Sequence, residues 1–306
     1  MTDILSALAP VFLLIGLGFA LKGLKMVPDT FWAPAEKLTF YLFFPALLVA
    51  NIAGAGTIGA EALPMAAALI IGIVLVAGTV SALRPRLGLD GPGFTSVFQG
   101  SFRPNTYVGI GAAYALFGEA GLALMAIAVV AVVPLVNVLA VFTLVRHGAA
   151  AGQAFRWRQA IGPAATNPII LACLLGLGLN LGEVGLPRLL APLLDILGSA
   201  ALPVGLMAVG AGLDLGAARK HGRTVAMTTA IKLGVLPLAT VVLCVAFGVA
   251  GQAATISVMY ASLPGSATSY VMARQMGGNA TLMAGIITAT TIAAMAALPA
   301  WVRLVG

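Results

Sequence analysis

Residues 101–111 read SFRPNTYVGIG, and they place an arginine, a proline and an asparagine side by side inside otherwise apolar sequence. Proline lacks an N–H, and its ring clashes with the carbonyl one turn back, so a helix entering this stretch breaks near Pro104. Asn-Thr immediately after the proline favours irregular backbone as well. What such a break is for depends on the medium around it.

That medium is a membrane. The chain has 306 residues, of which 61% are hydrophobic and 8% charged, with a mean hydropathy of +1.08, a composition foreign to soluble globular domains. Its apolar blocks are long enough to cross a ~30 Å hydrocarbon core as helix and too long for barrel strands. Polar breaks divide them into ten predicted spans: 4–21, 33–55, 62–83, 94–117, 120–145, 160–181, 189–213, 223–248, 253–274 and 281–303. The first block lacks a basic leader and a small-residue cleavage site, so it reads as a retained span. Cys173 and Cys244 each sit alone inside an apolar block and read as packed thiols.

The net charge of +7 does not point to nucleic acid, because the basic residues are scattered between spans. Of the sixteen Lys and Arg, Lys22, Lys25, Lys37, Arg84, Arg86, Arg146, Arg156, Arg158, Arg219, Lys220, Arg223 and Arg274 fall on one side of the ten-span layout. Only Arg188 and Arg303 fall on the other, while Arg103 and Lys232 lie within spans. The crowded side is expected to be cytoplasmic, with both termini outside.

The two halves share patterns. LLIGLGFALKGLKMVP at 13–28 matches CLLGLGLNLGEVGLP at 173–187, FPALLVANIAG at 44–54 matches LPVGLMAVGAG at 202–212, and SFRP at 101–104 matches ASLP at 261–264. Three matches in order at nearly one offset indicate a repeat, residues 1–146 against 160–306. Five spans per half is odd, so the second copy is inverted. The expected fold is an all-α integral membrane protein of ten transmembrane helices in two inverted five-helix repeats, with helices 4 and 9 broken at Pro104 and Pro264, at similar depth from opposite faces, so that the two breaks could face each other.

A break at membrane depth leaves free N–H groups on the following half-helix, an end that carries partial positive charge and suits an anion. Asn105 and Thr106 flank the first break; Gly265, Ser266, Thr268 and Ser269 flank the second. Arg103 and Lys232 are the basic residues deep within spans, where a charge is costly unless it meets a partner, water or substrate. Arg103 reads either as a charge-balancing ligand group or as a clamp on helix-end groups. Lys232 reads either as a ligand group or as a side chain that snorkels or binds carbonyls freed near Pro237. The glycines Gly16, Gly18, Gly54, Gly176, Gly178 and Gly212 are expected to let helices approach closely. The acidic residues fall in loops or toward span ends, Asp195 being the one acid that could lie further inward, so a carboxylate proton relay is disfavoured; both histidines fall in loops, so a histidine relay finds no support.

With NPIILACLLGLGLN at 167–180, LPVGLMAVGAGLDL at 202–215 and VPLVNVLAV at 133–141, the segment RPNTYVGIGAAYALFGEAGLA at 103–123 resembles the auxin efflux carrier family, along nearly the whole chain. The resemblance implies a scaffold of helices 1, 2, 6 and 7 and a mobile transport part of helices 3–5 and 8–10, in which helices 4 and 9 cross at Pro104 and Pro264, with Asn105 holding a substrate carboxylate. The loop at 147–159 is short, as in compact bacterial members associated with malate, malonate and related acids. The expected function is therefore a secondary transporter of a small organic anion, in a bacterial inner membrane, working by alternating access. No cofactor is expected; Na+ or H+ coupling and homodimerisation stay open, and membrane lipid is the surrounding partner. A sodium-coupled organic anion symporter of the bile-acid type is the nearest alternative. A channel, or a membrane-embedded enzyme with no metal cluster and no histidine in a span, is more remote.

Overall fold

The computed structural model describes residues 2–54, 62–149 and 165–306, together with Trp157 and Gly162. Glu61, Arg156, Arg158 and residues 160, 161, 163 and 164 of the sixth expected span lie outside the described residues.

The described elements are helical. In chain order they are α1 (Thr2–Gly23), α2 (Trp32–Leu38), α3 (Phe44–Ala53), α4 (Ala62–Leu87), α5 (Gly91–Gly100), α6 (Thr106–His147), α7 (Pro168–Leu181) and α8 (Leu190–Ser199). There follow α9 (Ala201–Ala211), α10 (Leu215–Lys220), α11 (Gly222–Ala230), α12 (Leu236–Ala246), α13 (Gly251–Ala261), α14 (Ala267–Met276) and α15 (Ala280–Val305). Seven stretches among the described residues are long and apolar enough to cross a membrane: Ile4–Gly23, Asp29–Ala53, Ala62–Leu87, Thr106–His147, Leu190–Ala211, Gly222–Ala246 and Ala280–Val305. The fourth of these holds a change of direction at Gly118, whose φ of 58° and ψ of −139° are open to glycine and to little else. That is where the sequence separates its fourth span from its fifth. The expected ninth span is two short helices, α13 and α14, and α7 lies within the sixth. Side chains such as Leu13, Leu63 and Val245 stand exposed along these helices, as lipid-facing positions do.

Prolines explain the helix irregularities. A π-helical turn at Thr39–Phe43 leads into α3, and another at Ile231–Val235 leads into α12. Each is followed by a proline in the first turn of the next helix, Pro45 and Pro237. Widening the preceding turn by one residue moves the carbonyl that the proline ring would strike. Ahead of Pro203 the chain instead bends at Ala200, between α8 and α9.

The chain divides into two compact units. The first comprises Met1–Ala62, Tyr107–Val130 and Ala165–Gly212. Within it α1 packs along α9, and α3 packs on α7 and α8. At the first contact Gly18 meets the Met207 backbone and Gly210 meets the Ile15 carbonyl so closely that a Cβ on either glycine would collide. At the second, a Cβ on Gly176 would sit 2.9 Å from that of Ile52. The expected glycine set therefore narrows: Gly18 and Gly176 mark close approaches, whereas added methyls at Gly16 and Gly178 would meet nothing within 4 Å. Gly210 was missing from the expectation because only the facing helix reveals it. Tyr107 stacks on Phe44 in this unit, with ring centroids 4.5 Å apart.

The second unit comprises Leu63–Thr106, Ala131–Ala164 and Leu213–Gly306. The starts of α5 and α15 are tied together in it. Asp90 caps α5 by accepting from the Gly93 N–H at 2.8 Å, and Asn279 caps α15 through the Leu282 N–H at 2.9 Å. The Asn279 N–H donates to the Pro92 carbonyl, and the Ser96 hydroxyl donates to the Asn279 carbonyl. Toward its other end α5 runs tightly against α15, where a Cβ on Gly100 would lie 2.7 Å from Ile286. Phe94, Phe98 and Phe102 form a chain of ring contacts beside this helix.

Candidate functional site: the crossing of two broken helices

Two gaps in the helices of the second unit meet. One lies between α5 and α6, at residues 101–105; the other lies between α13 and α14, at residues 262–266. Pro104 and Gly265 form an isolated antiparallel bridge, and the Asn105 N–H donates to the Pro264 carbonyl at 2.8 Å. The two unwound segments thus satisfy part of each other's backbone, a requirement wherever water is excluded. The Gly265 N–H finds a further partner in the Thr290 hydroxyl on α15, at 3.0 Å. At the first residue of each gap a serine hydroxyl turns back onto the preceding helix, Ser101 onto the Val97 carbonyl and Ser262 onto the Met259 carbonyl.

Arg103 is buried at this crossing, with 5% of its surface exposed. One guanidinium nitrogen donates to the Gln99 side-chain oxygen at 3.2 Å and to the Met272 sulfur. The other donates to Asn137 Oδ1 at 2.8 Å and to Thr268 Oγ1 at 3.1 Å. The planar fork of arginine suits such a spread of acceptors. These acceptors are all neutral, and among the described residues no carboxylate pairs with the guanidinium.

Thr268 lies in the first turn of α14, so the positive charge of Arg103 is held at a helix N-terminus, where the aligned peptide dipoles are positive already. Ser266, the residue preceding that helix, gives it no side-chain cap; its hydroxyl instead shares a 2.8 Å hydrogen bond with Thr268, on an exposed surface. Ser269, one residue further, is 1% exposed, and its hydroxyl has no hydrogen-bond partner among the described residues. Asn105 is buried and Thr106 half-buried at the start of α6. The crossing therefore joins positive potential, neutral hydroxyls and an uncapped helix end, without an acid among the described residues to balance them.

Lys232 belongs to a different place in the same assembly. It emerges from the π-helical turn before α12, is fully buried, and donates to the Ala261 carbonyl at 2.7 Å. That carbonyl ends α13, so the ammonium sits on the negative end of a half-helix. The freed carbonyl it binds is thus at the second break and not near Pro237.

Nine of the ten residues expected from the sequence lie in or directly beside the two gaps; Lys232 reaches the second gap from outside. Gln99, Asn137, Met272 and Thr290 also contribute and were not anticipated. Gln99 stands one helical turn before Arg103, and Asn137 is a lone amide inside an apolar run, so both carried a signal in the sequence. Met272 and Thr290 carried none, since methionine and threonine at mid-helix are usually packing residues.

Long apolar helices, several of full span length, with polar breaks meeting inside one of the compact units, define a multi-pass membrane protein. Residues 156–302 match the family model described as membrane transport protein, and over that stretch the chain carries the domain of the auxin efflux carrier family. The protein is accordingly a membrane transporter. No curated protein matches the chain.

Proposed function

We propose that this transporter carries a small organic anion, a mono- or dicarboxylate such as malate, malonate or an auxin-like acid, bound at the crossing of the broken helices. The observation that carries this reading is Arg103, a buried cation at the N-terminal turn of α14 that has only neutral partners. A buried charge without a counter-charge is expensive, and a carboxylate arriving beside it would recover that cost. Ser269 and Ser266 would supply hydroxyl donors, and Asn105 an amide.

The carbonyl end of α13 bears on the coupling ion. Half-helix C-termini and unwound carbonyls are where secondary transporters hold Na+, and here the Lys232 ammonium already bonds one of those carbonyls. This favours sodium-independent movement over the sodium-coupled alternative.

The pairing of α1 with α9 and of α3 with α7 supports two inverted five-helix repeats, because exchanging the matched spans converts one contact into the other. Alternating access would then involve the second unit, which carries the crossing, as the mobile part. The distribution of basic residues favours both termini outside the cytoplasm, and the short loop at 147–159, like that of compact bacterial members, favours a bacterial inner membrane.

The test is uptake of labelled malate and malonate, with indole-3-acetate as comparison, into proteoliposomes, with and without a sodium gradient. Saturable, sodium-independent uptake that Asn105→Ala abolishes in a folded protein is the expected result. Equal flux in wild type and variant would assign the crossing a purely architectural role.

A further inference from the structure

Away from the crossing, the second unit contains a cavity of about 460 Å3 between α4 and the end of α6, floored by Phe94 and Phe98 of α5. Its volume is that of an ordinary small-molecule site. Its two ends differ in chemistry. Val74, Gly78, Leu139 and Phe142 line the apolar part, and Val74 and Phe142 stand about half exposed. Arg84, Arg146 and His147 line the other end.

Gly78 has nothing within 4 Å of an added Cβ, so it is not there to bring two helices together; the space beside it is open. Val74 and Arg84 are ten residues apart on α4, about 15 Å along the helix. Arg84 lies in the last turn or so of α4, and Arg146 with His147 in the last turn of α6. The cations therefore stand at span ends, at headgroup depth, while the apolar groove runs from them toward the middle of the span.

Arg84 is held in place from within, its guanidinium carbon 5.2 Å from the centroid of the Phe94 ring. The same ring meets His147 edge-on at 5.4 Å. Among the described residues neither Arg84 nor Arg146 pairs with a carboxylate. The acid closest in sequence to Arg84, Asp90, is engaged in capping α5.

We propose that this groove binds one anionic phospholipid, with its phosphate on Arg84 and Arg146 and an acyl chain along Val74, Gly78, Leu139 and Phe142. A paired cation at headgroup depth continuous with an apolar channel matches a molecule that is itself anionic at one end and hydrocarbon at the other. A soluble carboxylate has no use for the apolar length. A zwitterionic lipid would bring its own cation toward the arginines.

The experiment uses the purified full chain in detergent. Retention of dioleoylphosphatidylglycerol is compared with that of dioleoylphosphatidylcholine by native mass spectrometry, alongside the thermal midpoint with each lipid. Phosphatidylglycerol is expected to be retained preferentially and to raise the midpoint. Each single substitution, Arg84→Ala or Arg146→Ala, should weaken its retention about fivefold, and the double substitution about 25-fold, with phosphatidylcholine retention unchanged. Gly78→Leu, which fills the groove and keeps both arginines, should also reduce phosphatidylglycerol retention. It serves as the independent check if the double variant folds poorly. Equal retention of the two lipids by wild type, or an undiminished preference in Gly78→Leu and the arginine variants, overturns the proposal. So does an equal rise in midpoint with inorganic phosphate or malate, which would mark a site for soluble anions.

Discussion

The two breaks present the same backbone problem and carry different cations. At the first, Arg103 comes from the gap itself and reaches four side chains, leaving its charge beside the start of α14. At the second, Lys232 comes from a neighbouring helix and meets a main-chain carbonyl at the end of α13. Both side chains are buried, so burial alone does not distinguish them. What does is the sign of the helix end each one faces. An ammonium on a negative end is already compensated, whereas a guanidinium at a positive end adds to the potential there and attracts an anion. On the function proposed above, the two buried cations thus have unlike roles, one architectural and one directed at a ligand.

The strongest test of that contrast is at Arg103. Arg103→Ala should raise the uptake KM for the carboxylate substrate by about 100-fold or more, the scale of losing a desolvated charge partner. Arg103→Lys should restore little, since a single ammonium cannot span Gln99, Asn137 and Thr268. An uptake titration in proteoliposomes measures both, and a KM near wild type in Arg103→Ala would erase the distinction. Lys232→Met should behave in the opposite way. Leaving the Ala261 carbonyl without its donor should cost about 1–3 kcal/mol of stability, read by denaturant or thermal unfolding, while KM stays close to wild type. If the affinity falls and the stability does not, Lys232 is a ligand group and the contrast reverses. Thr290→Val tests the backbone side of the second break: loss of the acceptor for the Gly265 N–H should destabilise by about 1 kcal/mol by the same unfolding measurement. The smallest effect belongs to Ser269→Ala. Removing a buried hydroxyl without a partner among the described residues should leave stability unchanged or slightly raised and weaken substrate binding about two- to tenfold. An unchanged KM would leave Ser269 outside the site.

How far these features could be read from the sequence follows from how local their causes are. Pro104 and Pro264 break helices through their own covalent structure, so both gaps were visible in the sequence, as was the interruption near Gly118 that the glycine backbone confirms. The basic and polar residues around the gaps were visible for the same reason. Their partners were not. Nothing in the order of residues says that Arg103 meets Asn137, thirty-four positions on, or that Lys232 ends on Ala261. The glycine contacts divide in the same way. Gly16 and Gly18 look alike in LLIGLGFA, yet only one faces the Met207 backbone, and that depends on how α1 is rotated against α9. The match to the membrane transport family covers residues 156–302 and so leaves SFRPNTYVGIG outside it. The reading of that stretch rests on its own chemistry and on the bridge to Gly265.

The two π-helical turns act as insertions hidden inside helices. Each adds a residue without lengthening a loop, and from that point on every side chain of the helix is rotated by about 100° relative to an uninterrupted α-helix. The turn at Ile231–Val235 is what carries Lys232, so the direction of its ammonium depends on that extra residue and on the proline that keeps it there. Deleting one residue from the turn would swing Lys232 away from α13 and push the preceding carbonyls back onto Pro237. Replacing Pro237 along with the deletion would relieve only the second fault. The tolerance of this helix to a change in length is therefore set by a proline five positions beyond the lysine, and a gap placed there in any comparison with the other half of the chain would be a physical feature.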